Sequence, residues 1–84
     1  MKDIRWSPLK SERLKVVCGV SFEELISSEL VSVKKHPKRT DQNIMLFKYK
    51  GYIWVVPYVE EKDYIFLKTL YPSRKFTKFY RGGK

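Results

Sequence analysis

The sequence predicts a small α+β domain, with two N-terminal helices packed on one face of a small antiparallel sheet and a short C-terminal helix. Three observations carry this. Two helix-capping signals lie within the first 24 residues, at Ser7-Pro8 and at Ser21-Phe22-Glu23-Glu24. Aromatic and β-branched residues dominate 44–70 and are interrupted by turn signals. Pro72-Ser73 then breaks the strand pattern ahead of a basic, aromatic tail. At 84 residues and 43% apolar composition, the chain has room for one modest core, so residues 1–84 are read as a single domain.

Ile4 to Trp6 suits a short first strand. Ser7 then caps a helix that starts with proline, whose missing N–H costs nothing at the first helical position. Leu9, Leu14, Val17 and Cys18 are expected on its inner side, and Gly19 can close it in a left-handed cap. The capping box at Ser21 opens a second helix with apolar positions Phe22, Leu25, Ile26 and Leu30. Val31-Ser32-Val33 reads as a strand, and the polar stretch from Lys34 to Asn43 as a long loop. Ile44–Tyr49, Tyr52–Val59 and Tyr64–Leu70 form a meander. Its turns are Lys50-Gly51 and Glu61-Lys62, with Pro57 at a place where the ladder needs no N–H. Ser73 can cap a last helix from Arg74 to Tyr80, ended by Gly82-Gly83.

These turns set a register. Lys48 pairs with Ile53 and Leu46 with Val55, while Val55 falls opposite Lys68. One face then carries Met45, Phe47, Tyr49, Trp54, Val56, Ile65 and Leu67 and should bury the helices. The other carries Lys48, Lys50, Val55, Tyr64, Phe66 and Lys68. Lysines within a sheet face are costly to cover, so this second face is expected to stay partly open.

Charge points to the partner. The net charge is +9, and all of that excess lies in residues 31–84. Residues 68–84 hold six basic groups and no acidic one, interleaved with Tyr71, Phe76, Phe79 and Tyr80. Cations relieve their mutual repulsion on a polyanion, and aromatic rings offer faces to bases, so RNA is the expected partner. No basic amphipathic helix stands out and no run is long enough to span a bilayer, so no membrane role is expected. The single cysteine, Cys18, fits a reducing compartment, and the chain is read as cytoplasmic.

One His and one Cys supply no metal-ligand set, and no phosphate loop or nucleophile signature is present. No metal or cofactor is expected. Chemistry would have to run on Arg, Lys, Tyr, His or Glu. RNA suits that restriction, because its own 2′-hydroxyl can attack the neighbouring phosphate. Cations then stabilise the developing charge and a side chain moves the protons. Candidate catalytic residues are Arg74, Tyr80, Lys68 and His36. Candidate RNA-binding residues are Lys48, Lys50, Arg39, Lys75, Lys78 and Arg81.

The segment Ile4-Arg5-Trp6-Ser7-Pro8-Leu9-Lys10, with Gly19-Val20-Ser21-Phe22-Glu23-Glu24, resembles the "W-(D/N)-P-x-K … G-(V/I)-S-F-E-E" opening of BrnT-like toxins. Tyr71-Pro72-Ser73-Arg74-Lys75 followed by Tyr80 resembles that family's "S-A-R-(K/R)-A … Y" closing motif. The resemblance implies a RelE/ParE-like fold and an endoribonuclease toxin (an mRNA interferase) of a type II toxin–antitoxin system. Such a toxin inhibits translation by cleaving mRNA, free or on the ribosome. It also implies neutralisation by a cognate antitoxin, commonly of the ribbon-helix-helix type. By position, the motif arginine corresponds to Arg74 and the late tyrosine to Tyr80. Val17-Cys18 stand where the family usually has Lys-His, so no role transfers there, and the loop His36-Pro37-Lys38-Arg39 is unlike the acidic stretch of many members. Two rival readings are a non-catalytic RNA- or DNA-binding module and a ParE-like toxin that inhibits a protein target such as gyrase.

Overall fold

A six-stranded mixed sheet with three helices makes up the domain, seen in a computed structural model that describes residues 3–82. In chain order the elements are β1 (Asp3–Arg5), α1 (Pro8–Cys18), α2 (Phe22–Ile26), β2 (Glu29–Lys35), β3 (Asn43–Tyr49), β4 (Tyr52–Glu60), β5 (Tyr64–Leu67), β6 (Tyr71–Ser73) and α3 (Arg74–Gly82). Gly83 lies outside the described residues. The strand order is β1-β5-β4-β3-β2, and β6 pairs with β4 beyond the end of β5. The sheet is not wholly antiparallel as expected, because β1 runs parallel to β5.

Ser7 Oγ accepts the Lys10 N–H at α1, and Gly19 closes the helix at φ +80°. The inner face of α1 departs from expectation. Leu14 and Cys18 pack on the core, but Leu9 is 79% and Val17 73% exposed. Ser11 is buried in their place. Its hydroxyl donates to Glu23 Oε1 at 2.6 Å and accepts the Phe22 N–H at 3.1 Å, so the buried polar atom is satisfied and sets the rotation of the helix. Hydrogen bonds to that carboxyl, the Ser11 bond foremost, hold Glu23 below the usual carboxylate range.

At α2 the capping box forms in both directions between Ser21 and Glu24. The helix stops at Ile26, one turn earlier than the apolar spacing suggests. Ser27 N–H bonds back to Glu23 O, and Ser28 Oγ donates to Leu25 O at 2.6 Å, so the serines take up the terminal carbonyls. Leu30 therefore belongs to β2, which also extends to Lys35, leaving residues 36–42 as the loop.

The β3–β4 hairpin has the expected register, Lys48 with Ile53 and Leu46 with Val55. Lys50 at φ +53° and Gly51 at φ +79° make a two-residue turn with both φ values positive. The turn after β4 is longer than expected, and Glu60 pairs with Ile65. Val55 consequently faces Tyr71, not Lys68. The pairing also slips by one residue on the way to β6, since the β5 ladder would set Val55 against Leu70. Pro57 stands at that slip, where its carbonyl accepts the Lys68 N–H at 2.8 Å and no N–H is required of it. Pro72 does not end the sheet but sits inside β6 opposite Trp54.

The core has two layers. On one face Met45, Phe47, Trp54, Val56, Tyr58 and Leu67 pack with Val20, Phe22 and Leu25, bordered by Tyr49 and Ile65. On the other face Ile44, Leu46, Ile53 and Val55 are buried under Val31, Phe76 and Tyr80. This second face was expected to be partly open. It is open at Lys48, Lys50 and Lys68, which are exposed, and covered in its middle, because Phe76 and Tyr80, one helical turn apart, project from α3 onto β3 and β4.

Candidate functional site

Docking α3 on the sheet leaves a hollow at the end of the sheet that holds the Lys50-Gly51 turn. Its volume is about 210 Å³ and its lining includes Glu29, Lys48, Gly51, Tyr52, Thr77 and Tyr80. Register brings these together. Glu29 is the β2 partner of Lys48, and Lys48 is the β3 partner of Ile53. Ile53 in turn faces Ser73, the residue before Arg74. Helix α3 is fixed there by three hydrogen bonds. Ser73 Oγ accepts the Phe76 N–H at 3.1 Å, Thr77 Oγ1 donates to Ser73 O at 2.6 Å, and the Ile53 N–H donates to Thr77 Oγ1 at 2.8 Å. The expected cap at Ser73 is thereby present.

Lys48 takes part in neither described ion pair, which are Arg5–Asp3 and Lys15–Glu24. Its ammonium is therefore available to an anion. Glu29 is the sole carboxylate among the described lining residues, and Tyr80 and Tyr52, each with a phenol, line the same hollow. A cation, a carboxylate and two phenols can bind a phosphodiester and exchange protons with it. Among the described residues no group of three or more His, Cys, Asp or Glu side chains could hold a metal ion.

The remaining sequence candidates are dispersed. Lys68 lies on the same sheet face as Lys48 but beside Pro57, four residues along β4 from Ile53, or about 13 Å. The buried Val55 layer and α3 stand between, and the Lys68 ammonium lies 5.9 Å from the Phe66 ring centroid. His36 and Arg39 sit in the 36–42 loop, at the opposite end of β3 from Lys48, about 16 Å away. His36 Nδ1 accepts the N–H groups of Lys38 (3.0 Å) and Arg39 (3.2 Å), which gives it a turn-forming part. Lys50 is at the hairpin apex with its ammonium 5.4 Å from the Tyr49 ring centroid. Arg74, Lys75 and Lys78 are exposed on α3; Arg74 follows Ser73, the β6 partner of Ile53, but is not among the described residues that line the hollow. The side chain of Arg81 lies outside the described residues.

Glu29, Tyr52 and Thr77 are site residues that sequence reasoning misses. Nothing in the apolar spacing separates Glu29 from the tail of the second helix. A register carried one strand further, from Lys48 to β2, is the signal that finds it.

A second, larger hollow of about 520 Å³ adjoins Lys48, lined by Glu23, Glu24, Ser27, Ser28, Glu29, Tyr49 and Lys50. Three carboxylates make it a poor seat for phosphate. Glu24 there is already engaged. The Lys15 ammonium at 2.8 Å foremost, then the Ser21 N–H, hold its carboxyl at about 2.

Fold and site together define a small mixed α+β domain with a hollow lined by Lys48, Glu29, Tyr52 and Tyr80 beside a basic helix. No protein-family model, curated protein or solved structure matches the chain. Among the described residues no helix is long and apolar enough to cross a membrane.

Proposed function

We propose that the protein is a metal-independent endoribonuclease toxin whose working site is the hollow under α3. The observation that supports this best is the meeting of Lys48, Glu29 and Tyr80, from three separate elements, around one hollow. On this reading the 2′-oxygen of a bound ribose attacks its own 3′-phosphate. Glu29 takes the hydroxyl proton, Lys48 steadies the charge on the phosphorane, Tyr80 protonates the departing 5′-oxygen, and Arg74, outside the hollow, holds the RNA backbone beside it. The P–O5′ bond breaks and a 2′,3′-cyclic phosphate remains, so atoms and protons balance without a metal.

The same reading takes the domain as RelE/ParE-like, acting on mRNA in the cytoplasm and held inactive by a cognate antitoxin. The paired opening and closing motifs support it. Lys68, His36 and Arg39 would then contribute attraction along the RNA rather than chemistry, in keeping with their distance from Lys48.

Incubation of purified protein with RNA in chelator tests the proposal. Fragments ending in 2′,3′-cyclic phosphate, lost in Lys48→Ala, are expected. RNA retained but uncut would replace it with the binding-module reading. Gyrase inhibition with RNA left intact would replace it with the protein-target reading.

A further inference from the structure

Four aromatics lie in the basic C-terminal segment, and the fold uses them unequally. Phe76 and Tyr80 are spent on the Ile44–Leu46–Ile53–Val55 layer. Phe79 is 66% exposed. On a helix, residues 74, 75, 78 and 79 share the arc opposite Phe76, Thr77 and Tyr80. The outer face of α3 therefore presents three cations, Arg74, Lys75 and Lys78, with one phenyl ring at the end of the row. The Phe79 ring is also held in place. It meets Tyr80 edge to face, with centroids 5.1 Å apart and planes at 89°.

We propose that this face is a platform for single-stranded nucleic acid, on which Phe79 stacks an unpaired base while Arg74, Lys75 and Lys78 hold the flanking phosphates. The ligand class rests on the RNA reading above, but the platform does not require that the protein cleave. Stacking needs a free base face, which a duplex hides in its interior, so Phe79 discriminates against paired RNA. It tolerates any base, because every base has a π-face. Tyr80 joins the platform to the hollow, since it touches Phe79 and also lines the wall beside Lys48. The stacked nucleotide is thus a near neighbour of the phosphate seated in the hollow. An ordered ring loses little conformational freedom on binding, which favours affinity.

Short 2′-O-methyl oligonucleotides, which have no attacking hydroxyl, separate binding from cleavage. Affinity would be measured for a single strand, for the same strand in a duplex, and for the strand with abasic sites. Phe79→Ala and Phe79→Leu should each weaken single-strand binding on the order of ten-fold. Leucine keeps the apolar exposure and removes only the ring face. Phe79→Trp should bind like the wild type. Duplex and abasic strands should bind the wild type and Phe79→Ala equally. Wild-type affinity in Phe79→Leu, or equal affinity of the wild type for single strand and duplex, would overturn the platform. Failure of the nuclease reading looks different, with uncut natural RNA and an intact Phe79 effect on the methylated strands.

Discussion

The backbone N–H of Ile53 donates to the hydroxyl of Thr77 at 2.8 Å, and that hydroxyl donates onward to Ser73 O at 2.6 Å. A single buried threonine therefore fastens the C-terminal helix to the strand that leads into the candidate site.

Thr77→Val keeps the shape and removes the acceptor. The Ile53 N–H is then buried without a partner, which costs about 1–3 kcal/mol. Thr77→Ser restores most of it. Denaturant midpoints of the three proteins give the comparison, and a valine variant as stable as the wild type would show that the bond contributes nothing net.

Tyr80 has two parts to separate, its packing on the Ile53 layer, which the structure shows, and the proton transfer proposed for its hydroxyl at the hollow it lines. Tyr80→Phe keeps the first and removes the second. RNA cleavage should fall about 10²-fold or more with an unchanged denaturation midpoint. Arg74→Ala should likewise abolish growth inhibition while the protein still folds, because Arg74 is exposed. Full toxicity in the folded Arg74→Ala protein would remove the arginine from the mechanism.

The Lys15–Glu24 pair predicts an acid-sensitive joint between α1 and α2. Glu24 titrates at about 2 in the folded protein against an ordinary 4.5, with its Lys15 hydrogen bond the largest cause. A carboxyl depressed on folding adds stability above the unfolded value and loses it as pH falls toward the folded one. Stability should therefore decline from about pH 4.5 to about pH 2. Both side chains of the pair are partly solvent-exposed, so added salt should shrink the effect. In Glu24→Gln the pH dependence over this window should flatten, as followed by thermal unfolding across the acid range.

His36 organises a loop that trypsin can read. Its Nδ1 accepts from Lys38 N and Arg39 N, two adjacent tryptic positions. His36→Ala should speed native-state cleavage after Lys38 and Arg39 several-fold, while His36→Asn, with a side-chain oxygen of similar reach, should slow it again. RNA cleavage should survive His36→Ala, since the loop is far from Lys48. Loss of cleavage there would return the imidazole to the chemistry.

Much of the fold is legible from local signals. Ser7-Pro8, the Ser21–Glu24 box and the Lys50-Gly51 turn each act over a few residues, so their structures follow from their own chemistry. The faces of β3 and β4 follow as well, because a two-residue turn fixes the register and alternation does the rest. Longer-range features are not legible in that way. The parallel pairing of β1 with β5 and the slip at Pro57 depend on residues distant in sequence. The same is true of Ser11 displacing Leu9 and Val17 from the inner side of α1, since its partners Glu23 and Phe22 belong to the next helix.

The site divides along the same line. Residue type and charge along the chain alone marked a basic, aromatic C-terminal segment suited to RNA and named Arg74, Tyr80 and Lys48. Tertiary structure decided which of the cations lines the hollow, and it is Lys48. It brought Glu29 and Tyr52 beside Lys48, left Lys68 and His36 elsewhere, and laid Phe76 and Tyr80 over the middle of a face whose lysines stay exposed. The physical reason is that charge and capping are properties of single residues and their neighbours. Burial instead depends on where a helix finds enough apolar surface to cover, and only the assembled sheet supplies that surface.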